Sequence, residues 1–184
     1  MLSIIIPSYK DPYLHKTIDS LLQNASGKIE VIPVLDGYWP SQPIIEDERV
    51  KVVHLGKNRG MRRAINAGIA ISSGEFIMRT DEHCSFGNGF DKILTESCEE
   101  NRIVTPRRYF LDVDKWEVMD IPPVDYMDLK ISNVSEGVRK FSGVEKPGNP
   151  TLPLQESMAM QGSCWVMRKS WWDKVIGELQ NEGY

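Results

Sequence analysis

Short apolar runs alternate with amphipathic stretches over the first 107 residues of the chain. The first run, 2–6, is continuous and rich in β-branched residues, which is typical of a strand buried on both faces. Similar runs predict four more strands, over 29–35, 50–55, 75–78 and 103–105. Apolar residues at helical spacing predict helices over about 14–24, 61–71 and from 90. Strands that alternate with helices predict an α/β fold with a mostly parallel central sheet flanked by helices.

The character of the sequence changes after residue 107. Five prolines interrupt the segment 108–154, which has no clean periodicity and so predicts either an irregular substrate-facing excursion or a lid. Order is expected to return over 157–160 and 162–167, within a small mixed part of the sheet near 155–168, and a helix is expected from about 170. We therefore predict a single domain over 1–184 that consists of two halves, 1–107 and 108–184.

Composition narrows the possible functions. A chain of 184 residues is long enough for one sizeable core, and its net charge of −4 argues against a nucleic-acid binder. It contains no apolar stretch of about 18 residues, and the first run has no basic segment before it, so we expect neither a membrane span nor a signal peptide. Three cysteines without CxxC spacing predict reduced thiols, and together these features favour a cytoplasmic protein.

Polar residues follow the predicted strands at the points where ligands bind in parallel α/β sheets, outside the carboxyl ends of the strands. The segments concerned are 7–11, 36–37, 57–60 and 81–83. They offer an aromatic ring for stacking on a base, carboxylates for the base or ribose, and cations for phosphates. This combination suits a nucleoside diphosphate.

A metal ion is the expected device for holding the phosphates, because the chain contains neither GxGxxG after the first strand nor GxxxxGK[ST] anywhere. Asp81 and His83 form an Asp-x-His pair directly after a strand, and in extended chain both side chains would face the same way. One oxygen and one imidazole ligand suit Mn²⁺ better than Mg²⁺, and they leave coordination positions for diphosphate oxygens. A solvated acidic turn is the alternative interpretation.

Several segments then resemble one family in the same order. Residues 3–11 resemble the opening strand and loop of the GT-A glycosyltransferases, chiefly family 2, and 30–37 resemble their second-strand motif. Residues 58–74 are similar to the segment that leads to the metal motif. The motif at 80–84 looks more like the Asp-x-His-Cys of polypeptide N-acetylgalactosaminyltransferases than the Asp-x-Asp of family 2. Residues 160–168 resemble the strand beside the donor sugar.

The resemblance implies a GT-A fold, a nucleotide-binding half over 1–107 and an acceptor-side half over 108–184. It also implies roles for individual residues, which are carried over position by position. These are Pro7, Tyr9 and Asp11 bordering the uridine, Asp36 holding the uracil, Arg59 or Arg63 near the base or diphosphate, Asp81 and His83 binding the metal, and Gly162 beside the donor sugar.

The activity implied is metal-dependent transfer of a hexose or N-acetylhexosamine from a UDP-sugar to a hydroxyl of a glycan, protein or lipid acceptor, with Mn²⁺ (or Mg²⁺) as cofactor. Two alternatives stay open: a non-catalytic UDP-sugar-binding module or isolated donor half, and a sugar nucleotidyltransferase. The second is disfavoured because 7–9 lack a Gly-rich, basic signature.

Some positions depart from the family pattern. Leu35 replaces the first carboxylate of an Asp-Asp pair, Gln161 replaces a glycine, and Arg79 lies where an apolar strand residue is expected. We expect the chain to be truncated before a catalytic base or third metal ligand. The catalytic base is therefore unassigned, and the carboxylates considered for it are Glu156, Glu178 and Glu182.

Overall fold

The computed structural model describes residues 1–135, 138–147, 154, 156–157 and 162–180. Contacts within the chain divide it into two compact units, Met1–Val104 with Ser163–Tyr184, and Thr105–Gly162. The assignment of 1–184 to a single domain with halves at 1–107 and 108–184 stays a prediction.

The first unit is built on a five-stranded sheet. Its strands are β1 (Leu2–Ser8), β2 (Ile29–Asp36), β3 (Val53–Leu55), β4 (Phe76–Thr80) and β9 (Cys164–Arg168), in the order β3-β2-β1-β4-β9. The pairs β3–β2, β2–β1 and β1–β4 are parallel, and β9 is antiparallel to β4. The predicted α/β class with a mostly parallel sheet is confirmed.

Helices cover both faces of this sheet. They are α1 (Leu14–Asn24), α2 (Met61–Ile71), α3 (Phe90–Glu96) and α4 (Lys169–Val175). Apolar residues of α1 and α3 share one core cluster with Ile4 and Ile6 of β1, whereas apolar residues of α2 and α4 share a second cluster with Ile5. This alternation is the two-residue period of a strand buried on both faces, which explains why the first run of the sequence is apolar without interruption.

Two elements of this unit are shorter than predicted. The third strand begins at Val53 rather than Val50, and Val50 forms only an isolated parallel bridge with Val31. The strand expected over 103–105 is reduced to an antiparallel bridge between Val104 and Val166. Both segments lie at an edge of the sheet and are only partly covered, since Val52 and Ile103 are exposed.

The second unit corrects the expectation that 108–154 contains no regular structure. It contains the short antiparallel pair β5 (Leu111–Asp112) and β6 (Glu117–Val118), and the longer pair β7 (Val124–Ser135) and β8 (Val138–Pro147). Antiparallel strands that are close in sequence need only a tight connection, so prolines at the flanks do not prevent them. Residues 158–161, where order was expected to return, lie outside the described residues, and the strand β9 follows them.

Candidate functional site

The loops that follow β1 and β4 meet at the carboxyl edge of the sheet. The two strands are adjacent and parallel, so the segments after Ser8 and Thr80 leave the sheet at neighbouring points. The backbone N–H of Tyr9 donates to Oε1 of Glu82 at 3.1 Å, and Asp11 Oδ2 lies 2.9 Å from His83 Nδ1. The structure therefore brings together Tyr9, Asp11 and His83, three of the residues predicted from the sequence.

Asp11 is held firmly at the start of α1. Its Oδ1 accepts the backbone N–H of Tyr13 at 2.7 Å, while Oδ2 contacts His83, and its side chain is only 18% exposed. His83 is half exposed, at 49%. A second contact ties the same turn to α1, because the backbone N–H of Cys84 donates to Thr17 Oγ1 at 2.9 Å.

Asp81 is paired with a cation from its own strand. Arg79 Nη2 donates to Asp81 Oδ1 at 2.5 Å, and the Arg79 guanidinium is buried whereas the Asp81 side chain is 28% exposed. Arg79 also contacts Met61 Sδ at the start of α2, at 3.1 Å. The backbone N–H of Asp81 donates to the carbonyl of Ser163 at 3.0 Å. Asp81 is therefore held by Arg79 through its side chain and by Ser163 through its backbone, while its carboxylate stays accessible to a ligand.

Residues 81–83 are not an extended strand, so the prediction that the Asp81 and His83 side chains face the same way loses its basis. The strand ends at Thr80 and the chain bends at Glu82 and His83. The two side chains have separate partners, Arg79 and Asp11. Within the described part of the chain, no group of three or more His, Cys, Asp or Glu side chains is placed to hold a metal ion. Metal binding by Asp81 and His83 stays a prediction.

Burial shapes the acidity of the groups beside this edge. Burial raises the pKa of the Glu82 carboxyl, and hydrogen bonds from Ser8 and the Tyr9 amide offset the effect only in part. Burial likewise raises the pKa of the Tyr38 phenol, whose hydroxyl is hydrogen-bonded to that of Ser8. Burial also raises the thiol pKa of Cys84. A thiol kept protonated is a poor nucleophile.

An aromatic pair lies over the same loops. The Tyr9 ring is 48% exposed and meets Tyr38 edge to face, with ring centroids 6.1 Å apart. Lys10 Nζ lies 5.1 Å from the Tyr9 ring centroid. Tyr38 was not identified from the sequence, and Ser8 was included only within the segment 7–11, without a role of its own. Position in the sequence could have indicated both residues, because Ser8 is the last residue of β1 and Tyr38 lies two residues after the end of β2.

Asp36 organises the start of α2. Its Oδ1 accepts the backbone N–H of Arg59 at 2.6 Å and its Oδ2 accepts that of Gly60 at 2.8 Å, and the residue is 3% exposed. Gly60 has φ +85° immediately before the helix, a conformation that glycine adopts without strain. Asp36 thus joins the end of β2 to the N-terminus of α2. Its role toward uracil stays a prediction.

Arg59 and Arg63 are both exposed and line an open groove of about 530 Å³ beside α2, together with Trp172 and Glu178. Arg62, the residue before Arg63, donates to the carbonyl of Gln180.

The remaining predicted residues have different settings. Pro7 is buried within β1 opposite Val34, one residue short of the strand's end. Gly162 is exposed and belongs to the second unit. Of the carboxylates considered as bases, Glu178 accepts from Asn66 Nδ2 at 3.3 Å, Glu156 is exposed, and Glu182 lies outside the described residues.

Two further expectations concern the whole chain. Cys84, Cys98 and Cys164 are all free, as predicted. In the ranges that the structure describes, no helix combines the length and the apolar character needed to cross a membrane.

An α/β sheet with polar loops gathered at its carboxyl edge defines a nucleotide-binding class of fold, here the GT-A fold. The sequence pattern described as glycosyl transferase family 2 matches residues 3–176, and the chain belongs to this family. It is 34% identical over 110 residues to the uncharacterized glycosyltransferase EpsJ of Bacillus subtilis, covering 56% of this chain and 32% of that protein. It is 30% identical over 88 residues to the glycosyltransferase GlyG of Streptococcus pneumoniae, covering 44% and 29%.

Solved structures that are similar to about half of this chain include the two that follow. The mannosyltransferase PcManGT from Pyrobaculum calidifontis, in complex with GDP-Man and Mn²⁺, is 17% identical with a TM-score of 0.41, covering 48% of this chain and 29% of that one. TarS of S. aureus in complex with UDP-GlcNAc is 21% identical with a TM-score of 0.41, covering 52% and 31%. The chain spans about a third of the length of the curated relatives that it matches.

Proposed function

We propose that this chain binds a UDP-sugar and transfers its sugar, a hexose or N-acetylhexosamine, to an acceptor hydroxyl. The observation that carries the proposal is the pair of contacts that join the β1 and β4 loops, Tyr9 with Glu82 and Asp11 with His83. They bring the backbone of Tyr9, two carboxylates and an imidazole together at one edge of the sheet, where the Tyr9 side chain is half exposed. Membership of glycosyl transferase family 2 supports a transferase rather than another nucleotide-binding function.

Different residues at this edge are proposed to contact the base and the diphosphate of the nucleotide. The half-exposed ring of Tyr9 offers a stacking face for the uracil, and Asp36 supports the base pocket by holding Arg59 and Gly60 at the start of α2. Exposed Arg59 and Arg63 supply cations for the diphosphate from the same helix end. Pro7, inside β1, acts only by shaping the backbone that leads to Tyr9.

We propose that Asp81 and His83 hold a divalent cation, Mn²⁺ (or Mg²⁺). Asp81 keeps 28% of its side chain exposed, and His83 has one ring nitrogen held by a carboxylate, an arrangement typical of histidines that ligate metals through the other nitrogen. Two protein ligands leave room for diphosphate oxygens. A cation bound there would neutralise charge on the departing UDP. The arrangement itself favours Mn²⁺ through its imidazole ligand.

The similarity of residues 80–84 to the Asp-x-His-Cys motif of polypeptide N-acetylgalactosaminyltransferases supports an N-acetylhexosamine as one of the donor sugars to test first. Gly162, without a side chain, is the position that we propose for close approach to the sugar.

A UDP-sugar-binding module without transfer activity is the second proposal. It is favoured by one observation, that Glu178, one of the carboxylates considered as a base, is engaged by Asn66, which leaves the catalytic base unassigned.

Incubation with UDP-GlcNAc, UDP-GalNAc, UDP-glucose and UDP-galactose separates the two proposals. Release of UDP that requires Mn²⁺ and is lost in Asp81→Ala is the result expected of a transferase, since water can take the place of the acceptor hydroxyl. Metal-dependent binding of UDP with no release from any donor would favour the binding module. Exposed Asp19→Ala on α1 is the matched control, and its UDP release should equal that of the unchanged protein.

A further inference from the structure

We propose that Asp11 is a positioning residue that fixes the tautomer of His83, so that Nε2 of the imidazole is the atom presented to a divalent cation. The inference rests on the proposed function in one respect, the choice of His83 as a ligand. It changes the role of Asp11, which the sequence placed beside the uridine.

The geometry leaves the Asp11 carboxylate little freedom. Oδ1 accepts the backbone N–H of Tyr13 at 2.7 Å, which fixes the plane and direction of the group at the head of α1. Oδ2 then lies 2.9 Å from His83 Nδ1. Since the side chain is only 18% exposed, solvent competes weakly for the second oxygen.

The chemistry of the two groups decides which nitrogen carries the proton. An ionised carboxylate accepts hydrogen bonds and cannot donate one, so Nδ1 of His83 must carry the hydrogen whether the ring is neutral or cationic. In the neutral ring, Nε2 then has the free electron pair. A histidine that ligates a metal commonly has its other N–H bonded to a carboxylate in this way, which also orients the ring.

The surroundings of His83 agree with this assignment. Its side chain is 49% exposed, so the ring remains accessible while one side of it is held. The next residue, Cys84, is anchored to Thr17 of α1 through its backbone N–H. The Cys84 contact joins the turn after β4 to α1, and the Asp11 contact joins the same turn to the loop before α1. Only the Asp11 contact involves the imidazole ring.

The isosteric variant Asp11→Asn gives a sharp test. Its amide oxygen must stay with the Tyr13 N–H, because the NH₂ group would meet another donor there. The NH₂ group then faces His83 Nδ1 and donates to it, which forces the hydrogen of the neutral ring onto Nε2. The variant therefore keeps the local turn and the size of the side chain but reverses the tautomer and blocks Nε2.

Long-range ¹H–¹⁵N spectra of the histidine rings, recorded without metal at a pH at which the rings are neutral, report the tautomer directly. The chain has three histidines, so His83 can be assigned from a His83→Gln variant. We expect Nδ1–H in the unchanged protein and Nε2–H in Asp11→Asn. Titration with Mn²⁺ should broaden the His83 ring signals in the unchanged protein, with an affinity about 10- to 100-fold lower in Asp11→Asn. Exposed Asp19→Asn on α1 carries the same change in charge and should match the unchanged protein.

An Nε2–H ring in the unchanged protein would overturn the inference about Asp11 whatever the metal does. The expected tautomers with equal Mn²⁺ affinity in both proteins would also overturn it, while leaving the proposed function intact. Expected tautomers with no Mn²⁺ binding by the unchanged protein would instead overturn the metal site, and with it the role that we assign to the Asp11 contact.

Discussion

Arg79 Nη2 lies 2.5 Å from Asp81 Oδ1, so the carboxylate predicted to bind a metal is already paired with a buried guanidinium. The two residues are two positions apart at the end of β4, and Arg79 Nη2 also contacts Met61 Sδ at the start of α2. This pairing accounts for a basic residue inside an otherwise apolar strand. It leaves Oδ2 of a partly exposed carboxylate as the atom for a ligand.

Arg79→Met is predicted to weaken metal-dependent UDP binding about tenfold, because Asp81 loses the charge-assisted hydrogen bond that holds it. Removal of one partner of a fully buried ion pair would destabilise the fold, but the Asp81 carboxylate left behind is 28% exposed and can be hydrated, so the fold should persist. Calorimetric titration of UDP with Mn²⁺ measures the loss. In the double variant with Asp81→Ala, the Arg79 change should have no further effect. Additive effects of the two changes would show that Arg79 does not act through Asp81.

Glu30 is predicted to give the protein an acid-sensitive stability at the opposite, amino edge of the sheet. Burial alone would raise its pKa, but hydrogen bonds from Lys51, Ser3 and Ser73 lower it to about 2 from the ordinary value of 4.5. A lowered folded-state pKa stabilises the protein above the unfolded value, and this stabilisation is lost as the pH falls from about 4.5 to about 2. The loss amounts to about 3 kcal/mol.

Urea unfolding at a series of pH values checks this prediction. The free energy of unfolding should fall by about 3 kcal/mol more in the unchanged protein than in Glu30→Gln between neutral pH and pH 2. Glu46→Gln, at an exposed position, should follow the unchanged protein. Parallel curves for the unchanged protein and Glu30→Gln would contradict the assignment. At neutral pH, folded Glu30→Gln and the folded unchanged protein should bind UDP with similar affinity, because Glu30 lies away from the carboxyl edge.

Gly37 is predicted to be intolerant of any side chain. It has φ +77°, and a Cβ built there would lie 2.1 Å from the backbone N of Asn58. Gly37→Ala should lower the free energy of unfolding by about 2 kcal/mol or more, through the left-handed conformation and the clash with backbone. Gly56→Ala is the matched control, because no atom lies within 4 Å of its Cβ position. Equal unfolding midpoints in urea for the two variants would refute the close approach of the loops after β2 and β3.

The sequence predicts the first unit well, because burial on both faces leaves a pattern that is visible locally. The apolar run of β1 and the helical spacing of Leu14, Ile18 and Leu21 each follow directly from the layer on which they pack. The strands at 124–135 and 138–147 are not predicted because the prolines before and after them dominate the pattern, although antiparallel neighbours need only a short connection.

The candidate site is predictable only in part. Their positions after strand ends make Tyr9, Asp11, Asp36 and Asp81 candidates, since ligands of parallel sheets bind there. The partners of these residues depend on how loops far apart in sequence meet: Asp11 and His83 are 72 positions apart. An extended chain would place the Asp81 and His83 side chains on the same face. The strand ends at Thr80 and the chain then bends, so this expectation fails.

Titration of UDP into the protein, first with Mn²⁺ and then with excess chelator, tests the central claim most directly. We predict saturable binding with Mn²⁺, a loss of at least about tenfold in affinity with chelator, and the same weak affinity in Asp81→Ala under both conditions. Binding of UDP that is equally strong with and without the metal, or unchanged in Asp81→Ala, would contradict the site that we assign to the carboxyl edge of the sheet.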